Sequence, residues 1–413
     1  MKVMNKNFKL LALLLLLTPL LLMQSCRKDP GPDPFADNDY LLSSNLLLMR
    51  TKENIVSVLT LVATQYPAVG NIVADVVSGV NIYSVTYRTL FMGEEVTASG
   101  LICIPSVPGT YPVLSFQNGT NTLHSAAPTA DPQGLQFQMI EYIAGTGYVV
   151  IIPDYLGFGA SKQMAHPYLH KESTVQTLVD MLYAVTEFDQ DVAKDITVTN
   201  ESYLIGYSQG GWATLALLDA LENDYSADFT VRAASCGAGP YDLERFNSEV
   251  LGMTEYPMPV FLGYIANAYS TYDIYPNPLT DLFKEPYAGR IPGLYDGLHS
   301  SEHINSQLTT SITGLFTAAY LSGAETDQKY SGVRNALSNN SIIGWDSEVP
   351  ILLLHGTADT YVLPELSETM YNRMIGSGSS PQSCLYVSMQ GLDHGTGAVP
   401  AVMAGLEFFK TFR

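Results

Sequence analysis

The sequence predicts an α/β fold, in which a mostly parallel central sheet is covered by helices on both faces. Short strand-like runs alternate with helical patterns up to about residue 239, and the same alternation resumes at residue 350. The runs at residues 148–152 and 350–354 are apolar throughout, as expected of parallel strands that are buried on both faces. We therefore assign residues 41–239 and 350–413 to one core and treat residues 240–349 as an insertion.

Composition limits the function classes. The chain has 413 residues, of which 46% are hydrophobic and 15% charged, enough for a large α/β domain with an insertion or for two domains. Lys and Arg number 20 against 40 Asp and Glu, for a net charge of −20. This charge argues against nucleic acid as a partner and gives no attraction to an anionic membrane surface.

The N-terminus has the pattern of a targeting segment. Three lysines precede an apolar run at residues 10–23, and Cys26 follows soon after it. We expect residues 1–25 to be a lipoprotein-type signal peptide, Cys26 to be lipidated, and residues 26–40 to form a Pro-rich tether. The protein would then be an exported bacterial outer-membrane lipoprotein, periplasmic or at the cell surface, which touches the membrane only through its anchor. A plain secretory signal is the alternative.

The elements of the core follow in order. Residues 41–80 have apolar residues at helical spacing, and alternation over residues 80–90 and 96–104, joined by a Gly-containing turn, predicts a hairpin. Further strands are predicted at 111–116, 148–152, 203–205, 229–234, 351–354 and 384–389, and helices at 133–144, 172–188, 212–221, 364–375 and 399–412.

The insertion at residues 240–349 interrupts this alternation. It is rich in Tyr, Pro, Asn and Gly, with helical patches near 260–268 and 307–321. It is too long for a loop, so we interpret it as a helical cap over the active site. A surface decoration remote from the site is the other interpretation.

Ser208 is the candidate nucleophile. It lies in Gly206-Tyr-Ser-Gln-Gly210, between a short strand and a long apolar helical pattern. A tight G-x-S-x-G turn needs small residues beside the serine, and it lifts the hydroxyl above the sheet edge. The pattern also occurs by chance in Gly-rich connections, but here both flanking elements are of the required kind.

Asp359 and His394 supply the groups that a serine nucleophile needs. A serine hydroxyl requires a base, and the base requires an acid to hold its tautomer. Asp359 follows the strand at residues 351–354, and His394 follows the last predicted strand. The order Ser208, Asp359, His394 is that of the hydrolase fold with such a turn.

An oxyanion hole should lie beside Ser208. One donor is expected to be the backbone N–H of Gln209, and the other the N–H of Thr120 in the loop after the strand at 111–116. A simple polar turn is the alternative for the Thr120 loop.

The sequence predicts no metal and no cofactor. His355 has no spaced partner cluster, so strand-end packing is its expected role, and no phosphate-binding glycine motif is present. Cys103, Cys236 and Cys384 allow at most one disulfide, and a nucleophilic role for Cys236 is less favoured than one for Ser208.

These motifs resemble those of the α/β-hydrolases, and more narrowly those of the secretory lipase and esterase family. The matching stretches are residues 206–211, Asp154 to Gly159 with His166 to Leu169, the turn from His355 to Asp359, and Asp393-His-Gly395. The resemblance implies a Ser-Asp-His triad and carboxylic ester substrates. Asn118 departs from the His that many relatives have there. His166 and Tyr168 are expected to organise the loop beside the site.

The expected function is that of a serine esterase or lipase-like hydrolase acting through an acyl-enzyme. The partner is a small-molecule, lipid or acylated-sugar ester, and the residues do not choose among these. A serine peptidase of the same fold and a catalytically silent surface binding protein are the alternatives.

Overall fold

The computed structural model describes residues 39–413, which contain a nine-stranded sheet ordered β1-β2-β3-β5-β4-β6-β7-β8-β9. The pairs β1–β2, β2–β3 and β3–β5 are antiparallel. The remaining pairs, β5–β4, β4–β6, β6–β7, β7–β8 and β8–β9, are parallel. The predicted, mostly parallel sheet is therefore present. The strands are β1 (Leu41–Arg50), β2 (Val80–Phe91), β3 (Glu94–Pro105), β4 (Gly109–Gln117), β5 (Val149–Pro153), β6 (Ile196–Tyr207), β7 (Thr230–Gly237), β8 (Ile351–Gly356) and β9 (Cys384–Met389).

Fifteen α-helices lie in the described part of the chain. They are α1 (Lys52–Ala63), α2 (Gly70–Asp75), α3 (Leu135–Ile143), α4 (Lys171–Asp191), α5 (Gln209–Asn223), α6 (Leu243–Leu251), α7 (Pro259–Thr271), α8 (Leu279–Leu282), α9 (Tyr287–Leu294), α10 (Ser301–Gln307), α11 (Ile312–Leu315), α12 (Ala318–Gly323), α13 (Ser331–Asn339), α14 (Pro364–Ser377) and α15 (His394–Phe409).

The helices cover both faces of the sheet, as predicted. Side chains of α1, α2, α3 and α15 form one buried cluster with strands β2 to β6. Helices α4 and α5 pack against each other and against the sheet. Apolar burial on both faces explains why the parallel strands β5 and β8 are buried along their whole length.

The helical prediction for residues 41–50 is wrong. This segment is β1, which pairs antiparallel with β2 at the edge of the sheet. Leu46, Leu47 and Met49 fit a helical spacing, but they are exposed rather than lining a buried stripe. Backbone hydrogen bonding to the free edge of β2 decides the conformation, and the helix begins only at Lys52, where the Thr51 side chain caps it by accepting from the N–H of Asn54.

The predicted hairpin is confirmed. Strands β2 and β3 pair over their full length and are joined at Met92 and Gly93, which have φ values of 53° and 84°. Two positive φ values in a two-residue turn match the right-handed twist of the strands.

Helices α6 to α13 occupy the chain between β7 and β8. The patch predicted near residues 260–268 lies within α7, whereas the one near 307–321 is divided between the short helices α11 and α12. The last helix was expected to begin at residue 399, but α15 begins five residues earlier, at His394. The side chain of Asp393 caps it there and forms a reciprocal capping box with Thr396, which fixes the earlier start.

The expected signal peptide, the lipidation at Cys26 and most of the tether lie outside the described residues. None of the helices within residues 39–413 combines the length and the apolar character needed to span a bilayer.

Candidate active site

Ser208 lies at a sharp turn between β6 and α5. Its backbone has φ 61° and ψ −125°, a conformation that non-glycine residues rarely adopt. The N–H of Ser208 donates to the carbonyl of Gly237, and the carbonyl of Ser208 accepts from the N–H of Trp212. These two contacts hold the strained residue between β7 and the first turn of α5.

The glycines around Ser208 leave no room for a side chain. A Cβ atom at Gly206 would lie 2.3 Å from the carbonyl oxygen of Gly210. At Gly210 it would lie 1.9 Å from the carbonyl oxygen of Gln117, and at Gly211 2.2 Å from that of Gly237. Strand β4, strand β7 and helix α5 therefore approach each other as closely as backbones can, which is why the turn requires small residues.

Ser208, His394 and Asp359 come together at the carboxyl ends of β6, β9 and β8. Ser208 Oγ lies 2.8 Å from His394 Nε2. His394 Nδ1 lies 2.6 Å from Asp359 Oδ2. Because Nδ1 faces a carboxylate, it carries the proton, and Nε2 is left to accept from the serine hydroxyl. This arrangement allows the imidazole to remove a proton from Ser208.

Asp359 is fully buried and held by several donors. Its Oδ1 accepts from the backbone N–H groups of Tyr361 and Val362, at 2.8 and 3.0 Å. Burial alone would raise the pKa of the Asp359 carboxyl, but hydrogen bonds and charge from His355 and His394 outweigh it and hold this pKa well below its usual range. Asp359 is therefore a carboxylate that stays ionised.

His355 is a contact of Asp359 that the sequence interpretation missed. It was expected only to pack at the strand end, and it is indeed fully buried. Its Nε2 lies 3.2 Å from Asp359 Oδ2 and 2.9 Å from the carbonyl of Val362, and its Nδ1 lies 2.6 Å from Ser367 Oγ. Since Nε2 faces two acceptors, it donates to both. This contact could have been predicted from the spacing of His355 and Asp359, which are four residues apart across a strand-end turn.

His394 is the first residue of α15. Its carbonyl accepts from the hydroxyl of Tyr207 at 2.9 Å, and the rings of Tyr207 and Tyr361 lie 5.3 and 5.5 Å from the imidazole. The helix start and the two rings fix the base in place.

Gln209 directly follows Ser208, and Thr120 lies in the loop after β4. Gln209 is the first residue of α5, so its N–H has no acceptor within the helix. The loop after β4 passes close to the nucleophile, since a Cβ atom at Gly119 would lie 3.8 Å from Ser208 Cβ. Next to it, Thr120 Oγ1 shares a hydrogen bond of 2.7 Å with the hydroxyl of Tyr168.

His166 contacts the other residue expected at the oxyanion hole. Its Nδ1 lies 2.6 Å from the carbonyl of Leu156 and therefore donates to it. Burial lowers the pKa of His166 to about 4, so the ring is neutral at pH 7 and its Nε2 accepts from the side-chain Nε2 of Gln209 at 2.9 Å. His166 and Tyr168 thus have the loop-organising contacts that were expected of them.

The three cysteines within the described residues are free and buried. Burial raises the pKa of the Cys236 thiol, which opposes the thiolate that a nucleophile needs. No group of three or more His, Cys, Asp or Glu side chains within residues 39–413 is placed to hold a metal ion.

A strand-to-helix turn with a strained serine, together with a histidine and an aspartate after two later strands of the same sheet, defines an α/β-hydrolase. Solved structures support this fold. A protein from Legionella pneumophila has a TM-score of 0.80 at 24% identity, covering 91% of this chain and 98% of that one. Candida antarctica lipase A in its closed state has a TM-score of 0.64 at 14% identity, covering 92% and 86%.

A ligand-bound form of the rice cell wall degrading esterase LipA from Xanthomonas oryzae is 26% identical, with a TM-score of 0.73 and coverage of 89% of this chain and 95% of that one. No curated protein sequence matches this chain. The chain belongs to the secretory lipase family, whose family model matches residues 125–380. The protein is thus a carboxylic ester hydrolase.

Proposed function

We propose that this protein is a serine esterase with the triad Ser208, His394 and Asp359. The observation that carries the proposal is the unbroken chain of two hydrogen bonds, 2.8 Å from Ser208 Oγ to His394 Nε2 and 2.6 Å from His394 Nδ1 to Asp359 Oδ2. The depressed pKa of the Asp359 carboxyl supports it, because an ionised acid stabilises the imidazolium that forms when His394 takes the serine proton.

In the proposed reaction, Ser208 Oγ attacks the ester carbonyl while His394 Nε2 takes the hydroxyl proton. The tetrahedral intermediate collapses when His394 returns this proton to the leaving alcohol, which leaves the acyl group on Ser208. Water then attacks the acyl-enzyme with the same proton transfers and releases the carboxylic acid.

The oxyanion of each intermediate is assigned to the backbone N–H groups of Gln209 and Thr120. The position of Gln209 at the start of α5 supports the first assignment, since an N–H there has no partner in the helix. The closeness of the Gly119 backbone to Ser208 supports the second.

Residues 240–349 are proposed to be the cap that shapes the substrate site. Tyr256 supports this, because its hydroxyl donates at 2.7 Å to the carbonyl of Tyr361, whose ring faces His394. The substrate is proposed to be a small-molecule, lipid or acylated-sugar ester. The similar Xanthomonas protein is a cell wall degrading esterase, which makes acylated polysaccharides worth testing.

The proposed location is outside the cytoplasm. A secretory family and the lysines and apolar run of residues 1–25 support export. Acylation of Cys26, followed by the tether at residues 26–40, would anchor the enzyme to the bacterial outer membrane.

The test is hydrolysis of nitrophenyl esters from acetyl to palmitoyl by the wild type and Ser208→Ala. We expect Ser208→Ala to lower kcat by about 10⁶-fold, because the hydroxyl forms the covalent bond. Cys236→Ala is the matched control, since it removes another potential nucleophile, and it should keep wild-type kcat.

Activity of Ser208→Ala within about tenfold of the wild type would exclude the triad. A long-chain preference would identify a lipase, and a short-chain preference would identify a deacetylase or carbohydrate esterase. A wild type that cleaves amide analogues but no ester would be a peptidase, and one that a fluorophosphonate does not label at Ser208 would be a binding protein.

A further inference from the structure

One loop, between β5 and α4, contacts both residues that are assigned to the oxyanion hole. Tyr168 shares a 2.7 Å hydrogen bond with Thr120 Oγ1, and His166 accepts from the side chain of Gln209 at 2.9 Å. Tyr168 and His166 are both buried. The loop therefore connects the two sides of the oxyanion hole, which come from parts of the chain 89 residues apart, Thr120 and Gln209.

Tyr264, in cap helix α7, packs on this loop. Its ring stacks on Tyr168 with centroids 4.4 Å apart and planes 10° from parallel, and it meets His166 edge-on at 5.6 Å. The Tyr264 hydroxyl donates at 3.1 Å to the carbonyl of Asn121, the residue after Thr120. Thus the Tyr264 side chain contacts both Tyr168, which is hydrogen-bonded to Thr120, and the backbone of the residue after Thr120.

A second cap segment is bonded to the loop after β4, which carries Thr120. The N–H of His124 donates at 2.8 Å to the carbonyl of Gly297, and Leu123 forms an isolated antiparallel bridge with Leu298. Burial raises the pKa of the Tyr168 and Tyr264 hydroxyls, so both stay protonated and able to donate over the whole working pH range.

The position of the Gln209 and Thr120 backbone N–H groups matters because an oxyanion hole works by preorganisation. A donor must be aimed at the place where the negative charge develops, and a misplacement of about 1 Å can cost about 100-fold in rate. Gln209 is fixed by helix α5, but Thr120 lies on a loop, whose position depends on its contacts.

We propose that Tyr168 and Tyr264 are positioning residues for the oxyanion hole, through which cap helix α7 sets the place of the Thr120 N–H. This inference rests on the proposed function. It assigns to the cap a direct part in the chemical step, besides shaping the substrate site.

The test compares kcat and KM of Tyr168→Phe, Thr120→Val and their double variant on one nitrophenyl ester. Each single variant removes the same hydrogen bond and keeps the volume, so each should lower kcat about 10-fold with little change in KM. The double variant should be no slower than the slower single variant, because the bond is already lost. Tyr264→Phe should likewise lower kcat, by a smaller factor.

Tyr320→Phe is the matched control. Tyr320 lies in α12, and its hydroxyl donates at 3.2 Å to Oδ1 of Asn247 in α6, so its loss weakens a contact within the cap without touching the Thr120 loop or the loop that carries His166 and Tyr168. This variant should keep wild-type kcat. Thermal melting of every variant separates a kinetic effect from incomplete folding.

Wild-type kcat in Tyr168→Phe, an additive loss in the double variant, or an equal loss in Tyr320→Phe would each overturn the inference. The activity of Ser208→Ala distinguishes a failure of the inference from a failure of the proposed function. If Ser208→Ala is inactive while Tyr168→Phe is unaffected, only the inference fails. If Ser208→Ala is active, the proposed function fails and the inference with it.

Discussion

Ser208 is held in a strained conformation by its neighbours. A non-glycine residue at φ 61° and ψ −125° costs on the order of 1–3 kcal/mol, which the surrounding contacts offset. The bond from its N–H to Gly237 and the close backbone approach at Gly210 are such contacts. The strain places the hydroxyl at the end of β6, within reach of His394.

His355 is expected to support catalysis through Asp359. Its Nε2–H donates to the carboxylate oxygen that also accepts from His394. A hydrogen bond to a charged group contributes about 1.5–3 kcal/mol, so His355→Leu should lower kcat about 10- to 100-fold. KM should stay nearly unchanged, because His355 is buried away from substrate. Steady-state kinetics on a nitrophenyl ester measure both.

His355→Gln is the control, because its side-chain amide can take the place of Nε2–H. It should recover most of the rate that His355→Leu loses, at a similar melting temperature. A His355→Leu enzyme with the wild-type rate, or a Gln variant as slow as the Leu variant, would contradict this role.

The sequence alone could predict the three side chains of the proposed triad but not what supports them. Ser208, Asp359 and His394 each follow a strand-like run, and the ends of parallel strands meet at one edge of a sheet. The contact of Tyr168 with Thr120 joins two loops 48 residues apart, and neither loop has a periodic pattern. Such contacts depend on the tertiary fold, so no local signal predicts them.

At the scale of elements, buried strands and helices were predictable, whereas the edge strand β1 and the start of helix α15 were not. Strand β5 and helix α5 are apolar and buried, so their patterns determine their structure. Strand β1 lies at an edge with exposed leucines, and a helical spacing of apolar residues misled the prediction. The start of α15 was predicted from its apolar pattern. The helix begins before that pattern, because Asp393 caps it at His394.

Glu141 in helix α3 should make stability depend on pH. It is fully buried, and neither carboxylate oxygen has a hydrogen-bond partner within the described structure. Burial raises its pKa from 4.5 to about 8, although the charge of Arg50 opposes this. Between these two values the folded state binds more protons than the unfolded state. The free energy of unfolding should therefore fall as the pH rises from about 4.5 to about 8.

The variant Glu141→Gln removes this titration and keeps the shape of the neutral acid. Its melting temperature should be within about 2 °C of the wild type at pH 5 and several degrees above it at pH 9. Glu368→Gln, at an exposed position of α14, should show no such difference between the two pH values. An equal difference in melting temperature between wild type and Glu141→Gln at pH 5 and at pH 9 would contradict the role of Glu141.

At the scale of the whole molecule, residues 240–349 are bonded to the core along their length. The hydroxyl of Tyr269 donates to the carbonyl of Leu169 at 2.9 Å, and the indole N–H of Trp212 donates to the carbonyl of Asn340 at 3.1 Å. Glu222 of α5 accepts from the indole of Trp345 at 2.8 Å. Contacts spread from α7 to Trp345 indicate that this segment and the core stabilise each other.

The segment and the core should therefore unfold together. The two tryptophans of the chain, Trp212 in α5 and Trp345 near the end of the segment, report on both parts by fluorescence, and far-UV circular dichroism reports on all helices. We expect one transition with the same midpoint by both methods. The double variant Tyr269→Phe/Tyr272→Phe loses two hydrogen bonds, worth about 1 kcal/mol each, so its single transition should shift down by a few degrees. Two transitions, or midpoints that differ between the methods, would instead mean that residues 240–349 unfold independently of the sheet that carries Ser208.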